Sequence, residues 1–115
     1  MTPPALRSLL DAFAARDLNR ALACFEEDAF YREASGSVTA GRAAIAARFA
    51  AFAAHGRGWE FHVDDVIADG LRACVVYRFA LAEGEAAARR ERAGVALVHM
   101  GVHDLIAEWR EYESS

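Results

Sequence analysis

Lysine is absent from this chain: all thirteen basic residues are arginine, set against seventeen acidic ones. The formal net charge of −4 and the pI near 5.5 leave no basic surplus. That argues against nucleic acid or an anionic membrane as partner. Cysteine is scarce. Cys24 and Cys74 form no metal-ligand spacing and no disulfide framework. They read as small buried hydrophobes in a reducing cytoplasm. No charged-then-apolar leader opens the chain and no apolar run reaches membrane length, so the expected setting is soluble and cytoplasmic. Repeats, linkers and low-complexity segments are missing too. The length suits one domain, residues 1–115, with one core. Apolar residues make up 55% of the chain, but 27 of them are alanine, so the few large side chains must gather in the core.

What is present is a change of period. Thr2-Pro3-Pro4 opens a helix: threonine can accept at the cap, and proline is tolerated in the first turn. Leu6, Leu9, Leu10 and Phe13 follow at helical spacing. Asp17 caps a second, shorter helix bearing Leu18, Ala21, Leu22 and Phe25, which Glu26-Glu27-Asp28 ends. A short strand is expected over Ala29–Glu33, then a turn-rich loop at Ala34–Ser37. Gly41 leads into a third helix with Ile45, Phe49 and Phe52, stopped by His55-Gly56 and Gly58.

From Trp59 the period becomes two. Trp59, Phe61 and Val63 share one face; Glu60, His62 and Asp64 share the other. Asp69-Gly70 is a hairpin signal, LRACVVYRFAL the returning strand, and Glu83-Gly84 a second turn. A further strand covers about residues 87–99, and LIAEWREY, residues 105–112, is the last. This order predicts an α+β fold: three N-terminal helices packed in a curved antiparallel sheet, with a cone-shaped pocket between them. On the last strand, Leu105, Ala107, Trp109 and Glu111 should line the pocket, while Ile106, Glu108, Arg110 and Tyr112 should face a partner subunit.

Several strings carry a resemblance. ARDLNRALACFEEDAFYREASGSVTAGRAAIAARFAAF resembles the opening of nuclear-transport-factor-2-like proteins. WEFHVDDVIADGLRACVVYRF and IAEWREY resemble their later strands. The flavour is that of the SnoaL-like group, with polyketide cyclases, ketosteroid isomerases and limonene-epoxide hydrolases, and it covers nearly the whole chain. The resemblance implies the cystatin-like α+β barrel. It leaves the chemistry open, because this superfamily supports enzymes and non-catalytic modules alike.

Compared with ketosteroid isomerases, Glu33 stands where the catalytic aspartate belongs. Leu9 and Val95 stand where the oxyanion donors belong, so a base would lack its partners. Compared with the epoxide hydrolases, Glu111 falls on the last acid and Arg78 on the arginine, but Ala80 replaces the other acid. For SnoaL-type cyclases, Glu111 is the nearest late-strand acid.

Each candidate has two readings. Glu33 or Glu111 is a general base, its proton held more tightly by burial beside Trp109 and Trp59, or each is ion-paired, Glu111 with Arg78. Arg78 could hold an anionic or carbonyl group. Tyr31 donates into the pocket or merely packs. The expected lining is Phe13, Phe49, Trp59, Phe61, Val76, Val95, Leu97 and Trp109. His62 with Asp64, and His99 with His103, suggest no third ligand, so neither metal nor cofactor is expected. The run Glu83–Arg92 should form a solvated hairpin tip, with Arg90 and Arg92 on the outer face. Tyr77, Phe79, Val98, Ile106 and Tyr112 should supply an apolar outer face for a homodimer.

Two functions follow. One is acid–base catalysis, of isomerase, cyclase or hydrolase type, on a small apolar carbonyl-bearing or cyclic molecule. The other is a non-catalytic module that binds a hydrophobic ligand or dimerises.

Overall fold

The computed structural model describes residues 2–54, 58–83 and 88–114, with side chains left out at 82, 83 and 88–90. The elements are α1 (Pro4–Ala14), α2 (Leu18–Leu22), β1 (Phe25–Arg32), β2 (Val38–Ala40), α3 (Arg42–Ala54), β3 (Trp59–Asp69), β4 (Arg72–Glu83), β5 (Ala88–Met100) and β6 (Ile106–Glu113). This is an α+β fold: three short helices and a six-stranded sheet in the order β2-β1-β6-β5-β4-β3. The meander β3 to β6 is antiparallel throughout, as its hairpin signals predict.

The sheet as a whole is mixed, which corrects the expectation of an antiparallel one. β1 lies parallel to β6. Between them the chain forms β2, α3 and the rest of the meander, and a connection of that length can bring two strands alongside in the same direction. β1 also starts earlier than expected. Glu26-Glu27-Asp28 lie inside the strand, and Phe25 is a wholly buried core residue. The Cys24 carbonyl already accepts the Ile106 N–H at 2.8 Å, so sheet pairing takes over before the helical pattern has run out. β2 has only three residues, too few to show a period.

Local chemistry sets the helix ends. Pro3, not Thr2, is the N-cap of α1; no side chain caps it, and the Pro3 carbonyl accepts from Arg7 N. The far end closes with two backbone bonds, Arg16 N to Phe13 O and Asp17 N to Ala12 O, and puts Arg16 at φ 59°. That is a Schellman ending with arginine where glycine is usual. The next residue, Asp17, accepts Arg20 N at 3.1 Å and starts α2, as expected. The predicted stop of α3 at His55-Gly56 and the tip of the β4–β5 hairpin, including Gly84, lie outside the described residues.

The core forms between the helices and one face of the sheet. Leu6, Leu9 and Phe13 of α1 and Ile45 and Phe49 of α3 meet Val75, Ala96, Val98, Ile106 and Trp109. Three face assignments are corrected here. On β4, Tyr77 and Phe79 point inward, while Val76 and Arg78 point outward. On β5, Val98 points inward and Val95 and Leu97 outward, Leu97 being 38% exposed. Both faces of these strands are apolar, so alternation alone does not choose between them. The large rings go where rings await them: Tyr77 stacks on Phe61 at 5.2 Å, and Phe79 meets Trp59 and Phe52. Arg78 stays hydrated outside, bonded to Asp64 at 3.0 Å, and avoids the cost of burying a guanidinium.

On β6, Ile106 is wholly buried rather than outward. Met100 pairs with Ile106 but His99 pairs with Glu108, so Ala107 is an extra residue. That bulge brings Ile106 onto the same side as Trp109.

Candidate active site

A cavity of about 380 Å³ lies between the helices and the inner sheet face. Aromatic side chains from five elements wall it: Phe13 of α1, Tyr31 of β1, Phe49 and Phe52 of α3, Trp59 and Phe61 of β3, and Tyr77 and Phe79 of β4. Three carboxylates enter it: Glu33, Glu111 and Glu113.

Glu111 is the most constrained. Tyr31 Oη donates to its Oε2 at 2.9 Å, and Trp109 Nε1 donates to the same oxygen at 3.0 Å. Parallel pairing of β1 with β6 places Tyr31 opposite Trp109, and the rings stack at 6.3 Å with 9° between planes. Glu111 shares a face with Trp109 because side chains alternate along the strand. Burial pushes the Glu111 carboxyl pKa up; the two ring donors and a backbone hydrogen bond from Ala34 pull it back, and the Glu113 charge pushes it up again. The Tyr31 hydroxyl is driven well above its ordinary range, first by burial and then by the Glu111 charge, so it stays a donor.

A second pair sits one step further along the sheet. Tyr77 Oη donates to Glu113 Oε2 at 2.9 Å, across Gly94 of the intervening strand. A Cβ on Gly94 would lie 2.6 Å from the Tyr112 carbonyl, 2.7 Å from Glu113 Cγ and 3.0 Å from Tyr77 Oη. Glycine therefore opens the path by which Tyr77 reaches Glu113. The Tyr77 hydroxyl is also pushed up, by burial first and by Glu111 next. Arg92 approaches Glu113 Oε1 at 3.7 Å. Glu33 takes Arg48 at 2.8 Å on one oxygen, while its Oε2 is buried without a partner.

The structure thus brings Phe13, Tyr31, Glu33, Phe49, Trp59, Phe61 and Glu111 to one cavity. Trp109 is wholly buried behind it and reaches Glu111 through its indole N–H. Arg78, Val76, Val95 and Leu97 lie on the other face of the sheet, and no Arg78–Glu111 pair forms. Arg92, expected outside, lines the cavity; the side chain of Arg90 is outside the description. Sequence reasoning missed Tyr77, Glu113, Arg48 and Arg92. Glu113 was within reach, because residues 109, 111 and 113 share a face by alternation alone. Among the described residues, no three His, Cys, Asp or Glu side chains are grouped to hold a metal.

A profile of the SnoaL-like domain matches residues 6–109, and the chain belongs to that family. Its fold is similar to that of a hypothetical protein with a ketosteroid-isomerase-like fold from Catenulispora acidiphila, solved in complex with trimethylamine (TM-score 0.83, 17% identity, 99% of this chain and 88% of that one). It is similar to an epoxide hydrolase of M. tuberculosis resembling the limonene-epoxide enzymes (0.81, 22%, 97% and 81%). It is also similar to a candidate polyketide cyclase from Xanthomonas campestris pv. campestris (0.77, 19%, 96% and 87%). At these identities the likeness is one of fold. No curated protein matches the chain in sequence.

Proposed function

We propose that this chain, acting as a single domain, carries out acid–base chemistry on a small apolar carbonyl-bearing or cyclic molecule, with Glu111 exchanging the proton. The observation that carries this reading is the Glu111 carboxyl itself: desolvated in an aromatic cavity, pKa raised, and fixed in direction by Tyr31 and Trp109. A carboxyl whose proton affinity is raised toward working pH transfers protons more effectively. Tyr31 and Tyr77 bring hydroxyls to the cavity that Leu9 and Val95 lack; each gives its single proton to Glu111 or Glu113 in the unliganded cavity, so a developing oxyanion would have to win that proton from the carboxylate. Glu33, already paired with Arg48 at the cavity wall, takes the lesser role of orienting substrate.

Carbon-detected NMR titration of the side-chain carboxyls tests this, with Glu111→Gln for assignment. Titration of Glu111 clearly above the free glutamate value of about 4.3 is expected. Titration at or below that value would remove the general base. A hydrophobic-ligand carrier is the second reading, favoured because both Tyr hydroxyls are engaged by carboxylates in the unliganded cavity.

We also propose a homodimer through the outer sheet face. Its apolar area comes from Ile67, Val76, Val95, Leu97 and Tyr112, not from the inward Tyr77, Phe79, Val98 and Ile106. A depression of about 400 Å³ lies there, lined in part by Ile67, Cys74 and Leu97. The two free thiols fit a reducing cytoplasm. No helix among the described residues is long and apolar enough to cross a membrane.

A further inference from the structure

The described lining of the cavity carries three carboxylates, Glu33, Glu111 and Glu113, against two guanidiniums, Arg48 and Arg92. Arg48 serves Glu33 and Arg92 lies nearest Glu113. No described cation pairs with Glu111. Its two side-chain donors both converge on Oε2, the Ala34 backbone also donates to the carboxylate, and no described side chain donates to Oε1. Those donors are neutral and soften the cost of an ionised, partly buried carboxylate without cancelling its charge. An uncompensated charge in a desolvated site is costly unless a partner arrives. The walls around it are largely aromatic, and the faces of aromatic rings attract cations through their quadrupoles.

We propose that the cavity takes a ligand bearing a protonated tertiary amine, its N–H directed at Glu111 and its alkyl groups against the rings of Tyr31, Phe49, Phe61 and Tyr77. The amine supplies the one positive charge by which the described lining falls short of its carboxylates. Its carbon substituents suit an aromatic wall, which a hydrated primary ammonium or metal ion would suit less well. This rests on reading the cavity as a ligand site and holds whether or not chemistry follows.

The groups facing Glu111 set the pH response: Tyr31 from β1, Tyr77 from β4, and Trp109 and Glu113 from β6, with Glu33, Arg48 and Arg92 further round the lining. Both tyrosines stay protonated in the working range because their hydroxyls are pushed up. Of the three carboxylates, Glu33 and Glu113 have arginine partners, so Glu111 is the group whose ionisation should switch amine affinity. Affinity should be full above its pKa and should fall as acidification protonates it.

The test compares N,N-dimethylcyclohexylamine with cyclohexyl methyl ketone, a neutral molecule of similar size, by calorimetry and NMR on the intact protein. The amine should bind at least about tenfold tighter than the ketone near pH 8, as expected for a desolvated cation on ring faces. That preference should shrink toward about pH 4 as the carboxylate is neutralised, and Glu111→Gln should abolish it. If the variant does not fold, the pH profile of the unaltered protein decides alone. Ketone binding as tight as the amine, or amine binding indifferent to pH and to Glu111→Gln, would overturn the proposal and leave the cavity reading standing. Failure of both molecules to bind would overturn the proposal together with that reading.

Discussion

Replacing Tyr31 by phenylalanine removes one oxygen and tests what holds Glu111 in its charged form. The ring itself should stay, stacked on Trp109 and edge-on to Phe49. What goes is the 2.9 Å bond to Glu111 Oε2. Hydrogen bonds to charged groups contribute about 1.5–3 kcal/mol. The Trp109 donor at 3.0 Å remains on the same oxygen, so the lower end, about 1.5 kcal/mol, is the reasonable expectation. That loss falls mainly on the ionised carboxylate, so Tyr31→Phe should move the Glu111 titration further up.

The sign for stability follows from linkage. Glu111 has a folded-state pKa above its unfolded one. Its stabilising contribution is present in full below the unfolded value, near 4.3, and is lost as pH rises through the folded value. The variant should therefore be weakened most at neutral pH and least in acid. For a domain of this size 1 kcal/mol shifts Tm by about 4 °C, so a Tm loss of about 6 °C is expected near pH 7 and a clearly smaller one near pH 4. Scanning calorimetry at both pH values and carboxyl NMR read the result. Equal Tm losses at both pH values, or an unmoved Glu111 titration, would refute the reasoning.

Gly94→Ala should overpack the space between Glu113 and Tyr77, cost about 1–3 kcal/mol, and shift the Glu113 carboxyl resonance as the Tyr77 bond is lost; an unchanged spectrum would sink the account. Arg16→Gly should stabilise the protein, because a non-glycine left-handed residue costs about 1–2 kcal/mol and glycine's extra chain entropy returns part of it. A net gain of about 0.5–1 kcal/mol in urea unfolding is expected. Leu97→Glu puts a charge into the outer apolar face. Size-exclusion with light scattering should show the parent as a dimer and the variant as a folded 12.5 kDa monomer; a variant that remains dimeric places the interface elsewhere.

Much of the fold was legible because it is local. The helical spacing of Leu6, Leu9, Leu10 and Phe13, the Asp17 cap, and the Asp69-Gly70 turn each act within a few residues, and all three appear in the structure. Trp109 and Glu111 share a face for the same reason, since alternation follows from covalent geometry. Faces and partners were not local. ACVVYRFAL is apolar on both sides, so nothing within β4 says whether Tyr77 or Arg78 meets the cavity; Phe61, Phe52 and Asp64, on other elements, settle it. Ile106 turns inward because of one extra residue at Ala107, a feature of pairing with β5 that no window on β6 contains. The Tyr77–Glu113 bond, 36 residues apart in sequence, exists only because cross-strand register sets Gly94 between them. Sequence alone determined most of the elements and, wherever no bulge intervenes, which residues can share a face. Tertiary structure decided which face is inside, because burial is a property of what packs opposite.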